Sequence, residues 1–374
     1  MSTAKVVTIL HPSSAVNNIV NDASGNVAVG NNLTVAGTST ISGNETVTGT
    51  LVMGSSFKRN RIINGNMLID QRNAGASVTQ TTSVLYTLDR WSCYGSVASK
   101  FTVQQNAGSV TPPAGYTKYL GATSSSAYTV GASEFFFIQQ VIEGYNVADL
   151  GWGAAGAQSV TLSFWVRSSL TGTFGGTLSN DATNRVYPFT YTISSANTWA
   201  AISVTVAGDT SGTWQTGTSG GLVVNFNMGA GATVSGTAGA WSGSTLRAPT
   251  GAVSVVGTNG ATFYVTGVQL EVGTKATPYE MQIYSDQLVQ CQRYYEIGGI
   301  TAVATNIYQN TCWFKVQKRA APTLTLVAGG LGGATLSGMN AIDYGGVIAG
   351  ISGFRQNGAS SGAIDAVISV SAEL

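Results

Sequence analysis

Charge is scarce in this sequence. Its 374 residues include only 17 basic and 16 acidic side chains, a charged fraction of 9% where an ordinary soluble domain has about 25%. A net charge of +1 leaves no electrostatic footprint for nucleic acid or for a polybasic contact with a membrane surface. Histidine occurs once, as His11 in the amino-terminal extension, so no Ser/His/Asp triad is expected. The three cysteines, Cys93, Cys291 and Cys312, show neither metal-ligand spacing nor a disulfide framework, and they read as buried thiols. No Gly-x-x-x-x-Gly-Lys phosphate loop occurs; Gly329-Gly330-Leu331-Gly332-Gly333 lacks the lysine and the following helix and reads as a loop. No catalytic metal and no cofactor are expected.

Long hydrophobic runs are missing too. The charge-free stretches Thr210–Leu246 and Ala320–Ile342 are broken by glycine every few residues, which excludes a transmembrane helix and predicts no membrane insertion. The apolar run near Met1 is shorter than a signal-peptide core, so no secretion route is expected.

Glycine (48), serine (39) and threonine (45) make up more than a third of the chain, and hydrophobic residues still reach 43%. That is enough to build a core and excludes a disordered linker. A charge-poor surface favours association, so a large subunit interface is expected. Leu33–Thr38, Ser39–Asn44 and Glu45–Thr50 are three consecutive hexamers of the form x-Thr-(Val/Ile)-x-Gly-x. Such a period marks short strands joined at glycine corners. Three hexamers are too few for one chain to form a stable solenoid. Residues 31–56 therefore read as a shaft in which several chains wind together, with Val35, Ile41 and Val47 of each facing a common axis.

From Phe57 onward, short runs of period-two alternation are separated by Gly, Asn and Ser clusters, the signature of an all-β sandwich. In Val160–Arg167 the alternation puts Val160, Leu162, Phe164 and Val166 on a core face and Thr161, Ser163, Trp165 and Arg167 on the other. Similar runs at Val84–Tyr94, Phe101–Gln105, Phe135–Ile142, Phe189–Ile193, Ile202–Val206, Leu222–Met228 and Tyr264–Val272 give at least eight strands, a two-sheet jelly roll over residues 57–282. Asp286–Glu296 contains no Gly or Pro and is the best helix in the chain. It is expected to link the sandwich, within 283–297, to a smaller β-sandwich tip over 298–374, with strands at Thr311–Val316, Thr323–Val327 and Ala363–Ala372.

Glycoside cleavage needs only two carboxyl groups. Glu134, Glu143, Asp149, Asp181, Asp209, Glu271 and Glu280 are available, but they read as rim, turn and interface residues. The aromatic content is more informative. Seven Trp and fifteen Tyr sit among few charges, where rings can stack on the apolar C–H faces of sugars. Trp165 and Trp313 are the two tryptophans placed to point away from a core, toward either a sugar or a subunit interface. Lys58-Arg59-Asn60-Arg61 is the densest basic cluster, and Asp70 or Asp89 are its expected partners.

Arg61-Ile62-Ile63-Asn64-Gly65-Asn66-Met67-Leu68-Ile69-Asp70-Gln71-Arg72-Asn73, Ser163-Phe164-Trp165-Val166-Arg167-Ser168, Pro188-Phe189-Thr190-Tyr191-Thr192-Ile193, Gly267-Val268-Gln269-Leu270-Glu271-Val272-Gly273 and Cys291-Gln292-Arg293-Tyr294-Tyr295-Glu296 resemble tail fibre proteins of tailed bacteriophages. The likeness runs over about Lys58–Glu296, with a weaker one at Phe314–Thr323. It implies an elongated, non-enzymatic homotrimeric adhesin carried on the virion. Residues 1–30 would attach to a tail, adaptor or baseplate protein, with Ile9, Leu10, Val16 and Ile19 as contacts. The distal end would bind a host surface polysaccharide or outer-membrane receptor, with Tyr308, Trp313, Tyr344 and Arg355 as contacts. A polysaccharide depolymerase and a purely structural fibre or decoration protein are the alternatives.

Overall fold

The computed structural model describes residues 58–303, 314–330, 335–337, 355–357 and 363–374, together with three short strands nearer the amino terminus. The chain divides into two compact units, Met1–Met53 and Gly54–Leu374. In the first unit, β1 (Thr8–Ile9), β2 (Ile19–Asn21) and β3 (Val27–Val29) form an antiparallel meander. Ile9 and Ile19, both expected attachment residues, are cross-strand partners in it. Leu10 and Val16, and the shaft residues Val35, Ile41 and Val47, lie outside the described residues.

The second unit is all-β around a jelly-roll sandwich. Its strands are β4 (Val78–Thr79), β5 (Leu85–Leu88), β6 (Trp91–Gly95), β7 (Phe101–Gln105), β8 (Leu120–Ser124), β9 (Phe135–Glu143), β10 (Val160–Ser168), β11 (Gly172–Ser179), β12 (Val186–Ile193), β13 (Ala200–Val206), β14 (Gly220–Ala230), the short pair β15 (Ser235–Gly236) and β16 (Ala248–Pro249), and β17 (Thr262–Val272). One six-stranded sheet runs β13-β10-β17-β8-β7-β4 and the other β12-β11-β14-β9-β6-β5. The alternation read from the sequence decides which side chains meet between them. Leu162, Phe164, Phe226, Met228, Phe263 and Leu270 are all buried in one continuous core, and Phe164 meets Phe226 edge to face at 5.0 Å. Burial of each such side chain contributes about 1.5–3 kcal/mol, so this core dominates the stability.

The structure corrects several expectations, among them the strand expected at Thr311–Val316, of which the described residues Phe314–Val316 are in no strand. Val84–Tyr94 is not one strand. Asp89 and Arg90 turn the chain between β5 and β6, with Arg90 at φ 70°. The α-helix, α1, spans Tyr284–Gln292 rather than Asp286–Glu296, because Tyr294 is drawn into the protein and Tyr295 opens the next strand. Nor is α1 a free spacer. Cys291 and Tyr294 are buried against Ile63 and Ile69, and the Arg293 guanidinium donates to the buried Glu143 at 2.6 and 2.9 Å.

After α1, β18 (Tyr295–Val303), β19 (Thr323–Gly330) and β22 (Ala363–Ser371) form an antiparallel sheet with β22 in the centre, and β20 (Thr335–Ser337) pairs with β21 (Arg355–Asn357). Gly329 and Gly330 thus end a strand rather than belonging to a loop. This sheet is tied to the sandwich: Glu373 pairs with Arg72 at 2.6 Å and with the fully buried Arg90. Arg90 in turn stacks over the Tyr294 ring at 3.6 Å. Tyr308, Trp313 and Tyr344 lie outside the described residues, and Arg355 is located only by its place in β21. Among the described residues, no helix is long and apolar enough to cross a membrane.

Candidate functional site

The outer face of the first sheet carries a groove of about 260 Å³. Its floor follows from the β10 alternation. Phe164 goes inward, so Ser163 and Trp165 face out, beside Ser203 and Ala201 of β13. On the other side, the pairing of β10 with β17 shifts register between Ser163 and Trp165. This bulge puts Gly267 at φ 61°, where a Cβ would come within 2.6 Å of the Tyr116 hydroxyl. Glycine is required at that point both for backbone conformation and for the close approach of a ring.

Tyr116 and Tyr279 supply the walls, meeting edge to face at 5.5 Å. Neither comes from a strand. Tyr116 follows Pro113, whose carbonyl accepts its N–H at 3.0 Å. Tyr279 belongs to a strap over 274–280 that the outward side chains of β17 hold in place. Glu271 accepts from the Thr277 backbone at 2.8 Å and from its hydroxyl at 2.7 Å. Gln269 accepts from the Glu280 N–H at 2.8 Å, and Glu280 accepts from the backbone of Lys58 and Asn60 at 2.6 and 2.9 Å. Burial raises the pKa of both phenols, and the hydrogen bond from Trp165 opposes this at Tyr116. Both rings are therefore neutral hydrogen-bonding groups at physiological pH.

The groove is thus a half-buried indole flanked by two phenols, with the Ser163 and Ser203 hydroxyls beside it. No carboxylate, lysine, arginine or histidine is on its lining. It is small beside the roughly 300–1,000 Å³ of pockets that engulf a drug-sized ligand. An arrangement of this kind can stack a sugar ring and hydrogen-bond its rim while the rest of a glycan runs out along the open sheet.

The basic cluster is used elsewhere. Arg61 pairs with Asp149 at 2.5 Å and Arg59 with Glu271 at 3.8 Å. The expected partners are occupied: Asp70 accepts from the backbone of Asn73 and Gly75, and Asp89 from Gln71. A second cavity of about 310 Å³ lies beside Lys58, Arg61, Gln282 and Arg293, where both arginines are already ion-paired. Of the seven carboxylates considered for glycoside cleavage, six are held by these or similar contacts, Glu134 by Tyr128 and Asp209 by Arg185 among them. Asp181 is exposed. Cys93 and Cys291 are buried, with burial raising the Cys93 thiol pKa to about 12; Cys312 lies outside the described residues.

Trp165 was legible in the sequence, but Tyr116 and Tyr279 were not. The available signal was Gly267 itself, an isolated glycine inside a strand pattern, which marks a bulge or a close neighbour.

No family model matches the chain, and no curated protein matches it. Among solved structures it is similar to the carbohydrate-binding module TmCBM61 in complex with β-1,4-galactotriose, at 11% identity and a TM-score of 0.29 over 58% of this chain and 100% of that one. It is also similar to a family 11 carbohydrate-binding module from Clostridium thermocellum in complex with a mixed-linked tetrasaccharide (10%, 0.29, 55% and 100%). The third is a xylan-binding domain from Paenibacillus barcinonensis (10%, 0.28, 55% and 99%). At these values the functional reading rests on the groove itself.

Proposed function

We propose that this chain is a glycan-binding adhesin, the homotrimeric receptor-binding fibre of a tailed phage, attached to the virion through residues 1–30 and non-enzymatic. The observation that carries glycan binding is the groove: three aromatic rings and the Ser163 and Ser203 hydroxyls converge on an uncharged surface, and Gly267 is bulged to let one ring approach. The fibre reading is supported by how the family-like phrases fit together. Asn64 bonds to the Ile69 and Asp89 backbone, Arg61 to Leu270, Ile63 to Gln140, and Tyr294 to Glu143. The phrases that resemble tail fibres are therefore also the ones that join the sandwich, α1 and β18. The segments that carry Tyr308, Trp313, Tyr344 and Arg355 are assigned to receptor discrimination, and exchanging them should change the range of hosts adsorbed.

The test of the groove is calorimetric titration of the full chain with a panel of neutral host-surface oligosaccharides. Trp165→Ala should weaken binding by tenfold or more, a loss of at least about 1.4 kcal/mol. Equal binding by the variant would remove the groove. Release of new reducing ends during the same titration would favour the depolymerase.

A further inference from the structure

The ion pairs of Arg61 and Arg293 leave the cavity between them open and rich in donors. At about 310 Å³ it stands at the lower end of pockets that engulf a small molecule. Three parts of the chain line it: Lys58 and Arg61 before the sandwich, Asn146 in the turn after β9, and Gln290 and Arg293 on α1 and at its end. No carboxylate is on the lining. The carboxylates that hold these residues are committed to other donors. Glu143, only 1% exposed, accepts from the Arg293 Nε and Nη2 and from the Tyr294 hydroxyl. Asp149 accepts from Arg61, and Glu280 from the backbone of Lys58 and Asn60.

These contacts do not exhaust the donors. A guanidinium carries five N–H groups, and the Arg293 Nη1 has no partner among the described residues and is not one of their buried atoms. The Lys58 side chain is exposed, and among the described residues nothing pairs with its ammonium. The side-chain amides of Asn146 and Gln290 are likewise unbonded and open to solvent. Glu143 and Asp149 meanwhile fix the two guanidinium planes, so a ligand would not have to order them. This lining differs from the aromatic, uncharged Trp165 groove. Its cations suit an anionic group and its amides suit hydroxyls. With room for roughly ten waters at about 30 Å³ each, it is also too large for a bare carboxylate or phosphate to fill.

We infer that this cavity is a second ligand site and takes an anionic sugar unit: the carboxylate or phosphate of the sugar meets the Lys58 ammonium and the Arg293 Nη1, and its hydroxyls meet the Asn146 and Gln290 amides. The cavity shares no lining residue with the Trp165 groove and stands whether or not that groove binds a neutral glycan. The experiment titrates the full chain calorimetrically with glucuronate, glucose 6-phosphate, glucose and inorganic phosphate. One of the two charged sugars should bind at least about tenfold tighter than both glucose and inorganic phosphate, and which one does so tells carboxylate from phosphate. Lys58→Ala keeps the backbone N–H that Glu280 holds, so the fold is retained, and it should abolish that preference. Gln290→Ala, on the surface of α1, is an independent arm and should weaken the charged sugar without changing inorganic phosphate. Trp165→Ala should bind the charged sugar as the wild type does. Charged sugars that bind no better than glucose overturn the site, and so does inorganic phosphate binding as tightly as either of them. Wild-type affinity in both Lys58→Ala and Gln290→Ala overturns it as well, as does loss of the charged sugar in Trp165→Ala, which would assign that ligand to the groove. None of these outcomes alters the neutral panel by which the groove itself is judged.

Discussion

Asp89 shows how a residue chosen for architecture can set the response to pH. It is fully buried at the β5–β6 turn, where it accepts from the Gln71 backbone at 2.6 Å and from its side chain at 2.9 Å. Burial is the largest influence and raises its pKa to about 6, with the Gln71 bonds and the nearby Arg72 pulling the other way. In the unfolded chain the group titrates near 3.8, so between roughly pH 4 and 6 the folded protein holds the proton that the unfolded chain has released. Stability attributable to Asp89 is therefore greatest below about pH 4, falls as pH rises to 6, and is level above that. Two pKa units correspond to about 3 kcal/mol. Comparing chemical denaturation of the wild type and Asp89→Asn from pH 4 to 7 isolates this effect. The gap in stability should move in favour of the variant as pH rises, and a gap that stays constant would mean that the carboxylate is ionised throughout.

Among the elements, β17 links fold and site. Its inward residues Phe263, Val265, Val268 and Leu270 are buried in the core, while Gln269 and Glu271 hold the Tyr279 strap on the outer face. The bulge at Gly267 lets one strand serve both faces. Gly267→Ala is expected to cost about 1–2 kcal/mol from the left-handed backbone alone, and its methyl group would press on Tyr116. Thermal unfolding should register the first effect. Titration should show weaker binding of neutral glycans. The strands themselves were legible because alternation is local: Val160–Arg167 gave the right inward set and put Trp165 outside. The β5–β6 turn was not, because Arg90 is fixed by Glu373 and Tyr294, about two hundred residues or more further along the chain. The end of α1 escaped for the same reason, since the bonds of Tyr294 and Arg293 to Glu143 overrule a sequence pattern that permits another helical turn.

For the whole molecule, the proposed homotrimer must find contact area. Met281, Ile283, Tyr284 and Val289 are exposed on and just before α1, with Ile283 at 71%. They follow directly on Glu280, which holds the backbone of Lys58 and Asn60. Burying four such half-exposed side chains contributes several kcal/mol per protomer, near the lower end of the roughly 4–15 kcal/mol lost on association. The strip alone would hold a trimer only weakly, and the shaft residues Val35, Ile41 and Val47 must supply the rest. Sedimentation of the full chain can separate the two contributions. Ile283→Asp with Val289→Asp should keep the trimer at high concentration and release monomer on dilution. Serine at all three shaft positions should do the same, and the combined variant should be monomeric at every concentration with its sandwich still folded by circular dichroism. A trimer as resistant to dilution in the strip variant as in the wild type would remove α1 from the interface, whereas a wild-type monomer would remove the fibre reading as a whole.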